Sequence, residues 1–364
     1  MTVQHLRFKI KTMATRHHAH VKLSRFSRGL LAEWRKLKLP IKDSTIIVAV
    51  SGGTDSTALL LGVEELIRAR KLNLTVWVGH LDHALRAESR KDAKWVSQLA
   101  KDLGFEIVVS RAKVAERAQA KAENLEQAAR EARYEFLERA AKKRKVKFVL
   151  TAHTMDDQAE TVLLRLMRGS SGSGLGGMEA VRPIAKGSPV KLVRPLLWTV
   201  RKETEDYCRQ RGIAVLHDEM NDDERFSRVK VRKQLIPMMQ SFNNRIVEAL
   251  SRTANMLRED GAVLLTDSAV LLKKAADVAA DALETDMPSL SVSVLAEAPS
   301  AIRRRALREW ITNGRGDARR LEMAHLLAVE RLLEGTKGGR TVELPSGAKV
   351  RRNRGLLEFV AKND

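Results

Sequence analysis

At 364 residues the chain has room for a large core and two domains. Its hydrophobic share of 44% and charged share of 30% are those of a soluble globular protein, and no run reaches the length of an apolar membrane span. A formal charge of +21 opposes compaction and makes a polyanion the natural partner; nucleic acid is favoured over a membrane because the basic residues are spread along the whole chain. The single cysteine, Cys208, excludes an internal disulfide, a multi-cysteine zinc site and a cysteine-held iron–sulfur cluster.

The first 32 residues contain no acid and carry Arg7, Lys9, Lys11, Arg16, Lys22, Arg25 and Arg28. In charge this matches an organelle transit peptide, without the serine richness of one. A disordered basic arm, or an upstream start with Met13 as the true one, is the plainer reading. Residues 1–42 are expected to form this extension. Import into an organelle is left open beside a cytoplasmic location.

From Asp43 the pattern alternates between strands and helices. Thr45 to Val50 is a continuous apolar run, as in a parallel strand buried on both faces. A glycine turn leads into a helix ending near Arg70. Strands are expected at 74–78, 105–109 and 146–150, with helices at 89–103, 124–143 and 156–167. This order implies an α/β fold, a doubly wound and mainly parallel sheet, over 43–222. Arg168 to Gly177 is rich in glycine and serine and reads as a linker or as a mobile loop beside the strand ends. Alternation stops after about Asn221. Residues 223–364 are expected to form a smaller helical and α+β domain, with helices at 301–312 and 321–334 and a hairpin turning at Pro345-Ser346-Gly347. Its last part, 301–364, carries 15 Lys/Arg against 8 Asp/Glu.

The first strand delivers Ser51-Gly52-Gly53-Thr54-Asp55-Ser56 into a helix N-terminus. Two glycines let the backbone approach a phosphate, and the free N–H groups and helix dipole attract its charge. Asp55 would repel a phosphate unless Mg²⁺ lay between them. The Walker A lysine is absent, and the spacing is not G-x-G-x-x-G. The fourth strand leads into Thr151-Ala152-His153-Thr154-Met155-Asp156-Asp157-Gln158-Ala159-Glu160-Thr161. Asp157 and Glu160 share a helical face, and Asp156 alone reads as a cap. In an open α/β sheet His153 and these acids should face the glycine turn. His80-Leu81-Asp82-His83-Ala84-Leu85-Arg86 leaves the second strand, more as a substrate-facing loop than as a metal site. On the long helix, Arg130 and Arg133 flank an apolar stripe, and surface and functional readings are balanced there.

In this order, Ser-Gly-Gly-x-Asp-Ser, His-x-x-His-x-Leu-Arg, Asn-Leu-Glu-x-x-x-Arg-x-x-Arg-Tyr and Thr-Ala-His-x-x-Asp-Asp-Gln-x-Glu-Thr are followed by Arg168-Gly169, Gly174-Leu175 and Arg194-Pro195-Leu196-Leu197. The glycine turn matches the PP-loop of the N-type ATP pyrophosphatases. The full set resembles the tRNA(Ile)-lysidine synthetase family over residues 43 to about 250, with a looser likeness in the tail. The resemblance implies ATP and Mg²⁺ as cofactors. It implies L-lysine and a tRNA(Ile) bearing a CAU anticodon as partners, and ligation of lysine to C2 of the wobble cytidine through an adenylated intermediate.

Carried over by motif, Ser51 to Ser56 bind ATP, with Asp55 also toward Mg²⁺. Asp55, His153, Asp157 and Glu160 form the reaction centre, the last two suited to a cationic lysine. His83, Arg86, Arg130 and Arg133 face the substrate or intermediate. Arg228, Arg232, Arg303, Arg304, Arg351 and Arg352 are the basic residues expected to meet tRNA. Where the family shows Arg-Asn-x-Ile-Arg, this chain has Arg228-Val229-Lys230-Val231-Arg232, which puts a role for that asparagine in doubt. The chain resembles the short form of the family, ending before a further C-terminal domain. Its oligomeric state is open, a homodimer included. Among the alternatives, many tRNA thiolases need several cysteines, so with Cys208 alone that route loses most of its chemistry. A glutaminase-dependent amidotransferase would leave the charge unexplained, and a non-catalytic RNA-binding protein would have no use for the acids.

Overall fold

A computed structural model describes residues 22–84, 88–120, 124–216, 222–279, 287–318, 320–335 and 338–360. Among them the chain forms two compact units. One comprises everything up to Gly169 together with Gly177–Arg252; the other comprises Ser170–Gly176 and everything from Thr253.

The first unit runs α1 (Arg25–Lys36), β1 (Lys42–Ala49), α2 (Thr54–Arg68), β2 (Asn73–Asp82), α3 (Ser89–Asp102), β3 (Glu106–Arg111), α4 (Val114–Ala120), α5 (Leu125–Lys143), β4 (Phe148–Leu150) and α6 (Met155–Met167). The short α7 (Gly172–Leu175) belongs to the other unit, and β5 (Val181–Pro183), β6 (Lys191–Val193) and α8 (Arg201–Gln210) return to the first. Then come α9 (Ser227–Lys230), a π-helical turn (Val231–Leu235), α10 (Ile236–Phe242) and α11 (Ile246–Asp277), within which the division between units falls.

Six strands form one sheet in the order β3-β2-β1-β4-β6-β5, parallel throughout except for β5. Ile46, Ile47 and Val48 at the centre of β1 are all 0% exposed. Ile46 and Val48 enter a core with α1, α2 and α3, while Ile47 enters the core under α5. A strand buried on both faces has no polar positions to spare, which is why its sequence is a continuous apolar run. Each such side chain contributes about 1.5–3 kcal/mol by burial. With β2 on one side of β1 and β4 on the other, the connections reverse direction there. Val48 pairs with Leu150, so the segments leaving β1 and β4 emerge side by side.

Four expectations change. The basic extension does not reach residue 42. Phe26, Leu30, Leu31 and Trp34 of α1 are buried against α2 in the main core, and α1 is capped by the Ser24 hydroxyl, which accepts from Ser27 N at 3.0 Å. The acid-free composition hid an ordinary amphipathic spacing. Residues 1–21 of the expected extension lie outside the described residues. Second, β2 extends to Asp82, so His80 belongs to the strand and not to a loop. Third, the helices α4 and α8 and the strands β5 and β6 were not anticipated; β5 and β6 are only three residues each and give no periodicity to read. Fourth, the first unit continues past 222 to Arg252, because Arg228 and Arg232 pair there with Glu160.

In the second unit follow β7 (Leu290–Ser291), α12 (Val292–Glu297), α13 (Ser300–Arg315), α14 (Met323–Glu330), β8 (Thr341–Glu343), β9 (Lys349–Asn353) and β10 (Leu356–Val360). The strands form an antiparallel sheet in the order β7-β10-β9-β8 over a core holding Leu307, Trp310, Ile311 and Val350.

Candidate active site

The turn between β1 and α2 is built to hold an anion. Gly52 has φ +98°, and a Cβ there would come within 2.6 Å of the Leu216 side chain, so only glycine fits. Gly53 caps α2 without a side chain, leaving the first helical N–H groups to point outward with the positive end of the dipole. The hydroxyls divide their work. Ser56 is buried; its Oγ accepts from Ser51 N at 3.1 Å and donates to Gly53 O at 3.0 Å, so it shapes the turn. Ser51 is exposed, and its hydroxyl lies 3.1 Å from the Ser56 hydroxyl.

Beside this turn, α6 starts directly after β4. Asp157 closes a capping box: its Oδ2 accepts from Thr154 N at 2.9 Å and from the Thr154 hydroxyl at 3.2 Å. Its Oδ1 is left for cations, at 3.2 Å from Arg201 Nη2 and 3.0 Å from Arg228 Nη2. One turn along, Glu160 is 0% exposed and is held by Arg228 Nε at 2.6 Å, Arg232 Nε at 2.8 Å and Arg201 Nη1 at 3.5 Å. Arg201 Nε also reaches Asp55 Oδ2 at 3.3 Å, and the Thr204 hydroxyl donates to Asp55 Oδ1. Asp156 does act as a cap, although of α8, accepting from Arg201 N at 2.7 Å.

The structure thus brings Asp55, Asp157 and Glu160 together as expected and adds Arg201, which the sequence reading missed. Arg201 has no motif of its own; the only signal was that three clustered acids need cations. Arg228 and Arg232, expected to meet tRNA, are instead committed to this cluster. Val229, in place of the family asparagine, is buried at 4% exposure.

The electrostatics follow from burial. Asp55 is pushed up to about 6 by burial, against the pull of Arg201 and with a further push from Asp157. Asp157 is held well below the usual carboxylate range, because Arg228 and Arg201 outweigh its burial. His153, with Nδ1 3.1 Å from the Thr151 hydroxyl, is pushed down by burial, against Asp157 and with help from Arg194, Arg228 and Arg130. Its ring is neutral at neutral pH.

At the end of β2, His80 Nδ1 donates to Val50 O at 2.8 Å, and burial keeps the ring neutral. His83 Nε2 lies 3.3 Å from the Arg133 guanidinium; burial and Arg133 push it down to about 4. Among the described residues no three His, Cys, Asp or Glu side chains are grouped to hold an ion. Arg130 stacks over Tyr134 at 5.0 Å, with Arg182 at 5.3 Å. Arg86 lies outside the described residues.

For Mg²⁺ the fitting residue is Asp55. It stands in the first turn of α2 beside the glycine turn, where its carboxylate can meet a cation held by nucleotide phosphates. One carboxylate plus nucleotide phosphates is a usual environment for that ion.

In the second unit Arg303 and Arg304 grip Glu330 at 2.6 and 2.7 Å, and Arg351 pairs with Glu358 at 2.6 Å. Arg352 does not fit its expected role. It is 7% exposed and donates to Leu332 O and Glu334 O at 2.8 and 2.9 Å, so it braces the fold. The Arg304 and Arg351 side chains keep 38% and 49% of their surface exposed.

Turn, switch point and acid cluster together define a PP-loop ATP-binding domain, and the family model described as a PP-loop domain matches residues 25–239. The model of the TilS substrate binding domain matches residues 290–357. A tRNA(Ile)-lysidine synthase of Geobacter sulfurreducens is 35% identical over 318 residues, covering 87% of this chain and 65% of its own length. One of Gloeobacter violaceus is 37% identical over 304 residues, covering 83% of this chain and 86% of its own. The chain therefore belongs to the tRNA(Ile)-lysidine synthase family, while spanning less than two thirds of the Geobacter relative. Among solved structures, the U34-tRNA thiolase NcsA of Methanococcus maripaludis, with its [4Fe-4S] cluster, shares the fold at a TM-score of 0.54 and 14% identity, over 64% of this chain and 80% of that one.

Proposed function

We propose that this chain ligates L-lysine to C2 of the wobble cytidine in the CAU anticodon of tRNA(Ile), with ATP split to AMP and pyrophosphate. The observation that carries this reading is the acid cluster of Asp55, Asp157 and Glu160 beside the anion-binding turn at the β1/β4 switch point. An ATP site needs the turn and Asp55; Asp157 and the buried Glu160 add negative charge beside it, which suits a cationic substrate. The relatives named tRNA(Ile)-lysidine synthase support the same choice of substrates.

In this scheme the N–H groups of residues 52–56 and the Ser51 hydroxyl hold the phosphates, and Asp55 would hold Mg²⁺, which supplies charge neutralisation there. The cytidine O2 attacks the α-phosphorus and pyrophosphate leaves. The lysine side-chain nitrogen then attacks C2, and AMP leaves with the former O2. Asp157 and Glu160 bind the ammonium, with neutral His153 as a further member of the reaction centre. Arg130 and Arg133 offer positive charge to the anionic intermediate, and exposed arginines of the second unit, Arg304 and Arg351 among them, offer it to the tRNA backbone. No described helix is long and apolar enough to cross a membrane, and we place the reaction in the cytoplasm, where tRNA and ATP are at hand. A sulfur-transfer reading has no thiol to use: Cys208 is 2% exposed and pushed up to about 12 by burial.

The test is incubation with ATP, Mg²⁺, labelled lysine and transcripts of isoleucine and methionine tRNAs bearing CAU. Label on the isoleucine transcript alone, with AMP released, is the expected result. No AMP with any RNA would overturn the proposal.

A further inference from the structure

The acids that the ligase reading reserves for lysine are already occupied. Asp55, Asp157 and Glu160 are ion-paired with Arg201, Arg228 and Arg232, while Asp156 is bonded to the Arg201 backbone N–H. An ammonium entering this cluster would find neutralised carboxylates and three like charges, which oppose it. One arginine must give way.

Arg201 is the one placed to do so. Arg228 and Arg232 meet Asp157 and Glu160, with Glu126 at 3.9 Å from Arg228. Arg201 alone also spans to Asp55, in the first turn of α2 beside the anion-binding turn. Its backbone is fixed by the Asp156 carboxylate, so its side chain can redirect without moving α8. A triphosphate in the turn would bring several negative oxygens within reach of a guanidinium, whose fork of donors matches phosphate.

We propose that Arg201 is a positioning residue that gates the acid cluster, standing in for the lysine ammonium across Asp157 and Glu160 until ATP in the turn draws it away. With Arg201 on the phosphates and Asp55 turned to Mg²⁺, Asp156, Asp157 and Glu160 outnumber Arg228 and Arg232 by one, and the cluster takes lysine, so nucleotide binds first. This rests on the ligase reading, and it concerns the order of binding, with no covalent step of its own.

The experiment is calorimetric titration of the full chain with L-lysine, alone and after saturation with Mg²⁺ and α,β-methylene-ATP, which cannot be split between its α- and β-phosphates. Wild type is expected to take lysine at least about tenfold more tightly with nucleotide present, a normal size for coupling between sites. Arg201→Met should bind lysine without nucleotide and gain less than about threefold from it. Arg201→Lys, which keeps a cation at the position, should restore most of the dependence; a merely structural role would not separate these variants. Nucleotide binding and thermal melting check that each variant folds, and Arg201→Gln replaces the methionine variant if that one does not.

Equal lysine affinity in wild type with and without nucleotide overturns the gate, as does an Arg201→Met protein that keeps the full wild-type dependence. If nucleotide binds but lysine binds to no form under any condition, the ligase reading is wrong and the gate falls with it, a pattern distinct from the other two.

Discussion

Arg201 reaches from the start of α8 to Asp55 in the first turn of α2, its Nε 3.3 Å from Asp55 Oδ2 across 146 positions of sequence. That one contact ties the anion-binding turn to the acid cluster, and the roles of the residues around it can be separated by substitution.

Asp55→Ala should lower AMP formation by roughly 10²-fold or more, the scale for loss of one preorganised electrostatic group at a reacting centre. RNA binding should stay within about twofold, because Asp55 bonds Arg201 and Thr204 within the first unit and no phosphate-contacting cation is removed. Measured side by side, a parallel loss of RNA binding would contradict the assignment.

Glu160→Gln should destabilise the protein by about 3 kcal/mol, the low end of the cost of breaking a buried ion pair, since its arginines retain some exposure. Urea unfolding of the first unit gives the number. A change below roughly 1 kcal/mol would mean that the arginines find other partners at little cost.

Cys208 should resist alkylation in the native protein. Its thiol is pushed up to about 12 by burial, with the Asp55 charge adding to the effect. At pH 8 roughly one molecule in ten thousand then carries the thiolate, the reactive form. Iodoacetamide labelling followed by mass measurement should show modification only after unfolding; rapid labelling of folded protein would refute the burial argument.

Glu65 should make stability depend on pH. Its carboxylate accepts from Ser24 N and from the Ser24, Ser27 and Tyr207 hydroxyls. Burial alone would raise its pKa, but these bonds outweigh it and hold the group below its ordinary 4.5. A depressed folded-state value stabilises above the unfolded pKa and is lost as pH falls through the folded one. The stability gap between wild type and Glu65→Gln should therefore be widest near pH 7 and shrink below about pH 4.5. A gap independent of pH would exclude the mechanism.

Arg351→Ala and Arg352→Ala are neighbours with opposite expected outcomes. Losing the half-exposed Arg351 should weaken tRNA binding and reduce its salt slope by about 1. Losing Arg352 should instead lower the melting temperature of the second unit, since it bonds Leu332 O and Glu334 O. Equal salt slopes for Arg351→Ala and wild type would move the RNA surface elsewhere.

The sheet was legible because β1 is apolar at every buried position and because the glycine turn and the His153–Glu160 motif each follow a strand. The glycine turn after β1 was legible because Gly52 takes a conformation that few other residues tolerate. What sequence hid was partnership. Nothing local distinguishes Arg201, Arg228, Arg232 and Arg352 from surface arginines, since their partners lie far away along the chain: 44 residues to Asp157, 68 and 72 to Glu160, and 18 to Glu334. The burial of α1 was hidden in the same way, by counting charge where spacing carried the information.

Asp157 spends one oxygen on the N-terminus of α6 and the other on two arginines. Asparagine, the usual choice for arresting an enzyme with its substrates bound, would keep a single acceptor. Turned toward Thr154 N, it would set an amide N–H against two guanidiniums; turned toward the arginines, it would uncap the helix. Anyone seeking a stalled complex should therefore leave Asp157 intact and disable the nucleotide instead, because at this position an arrested protein and a loosened one would be hard to tell apart.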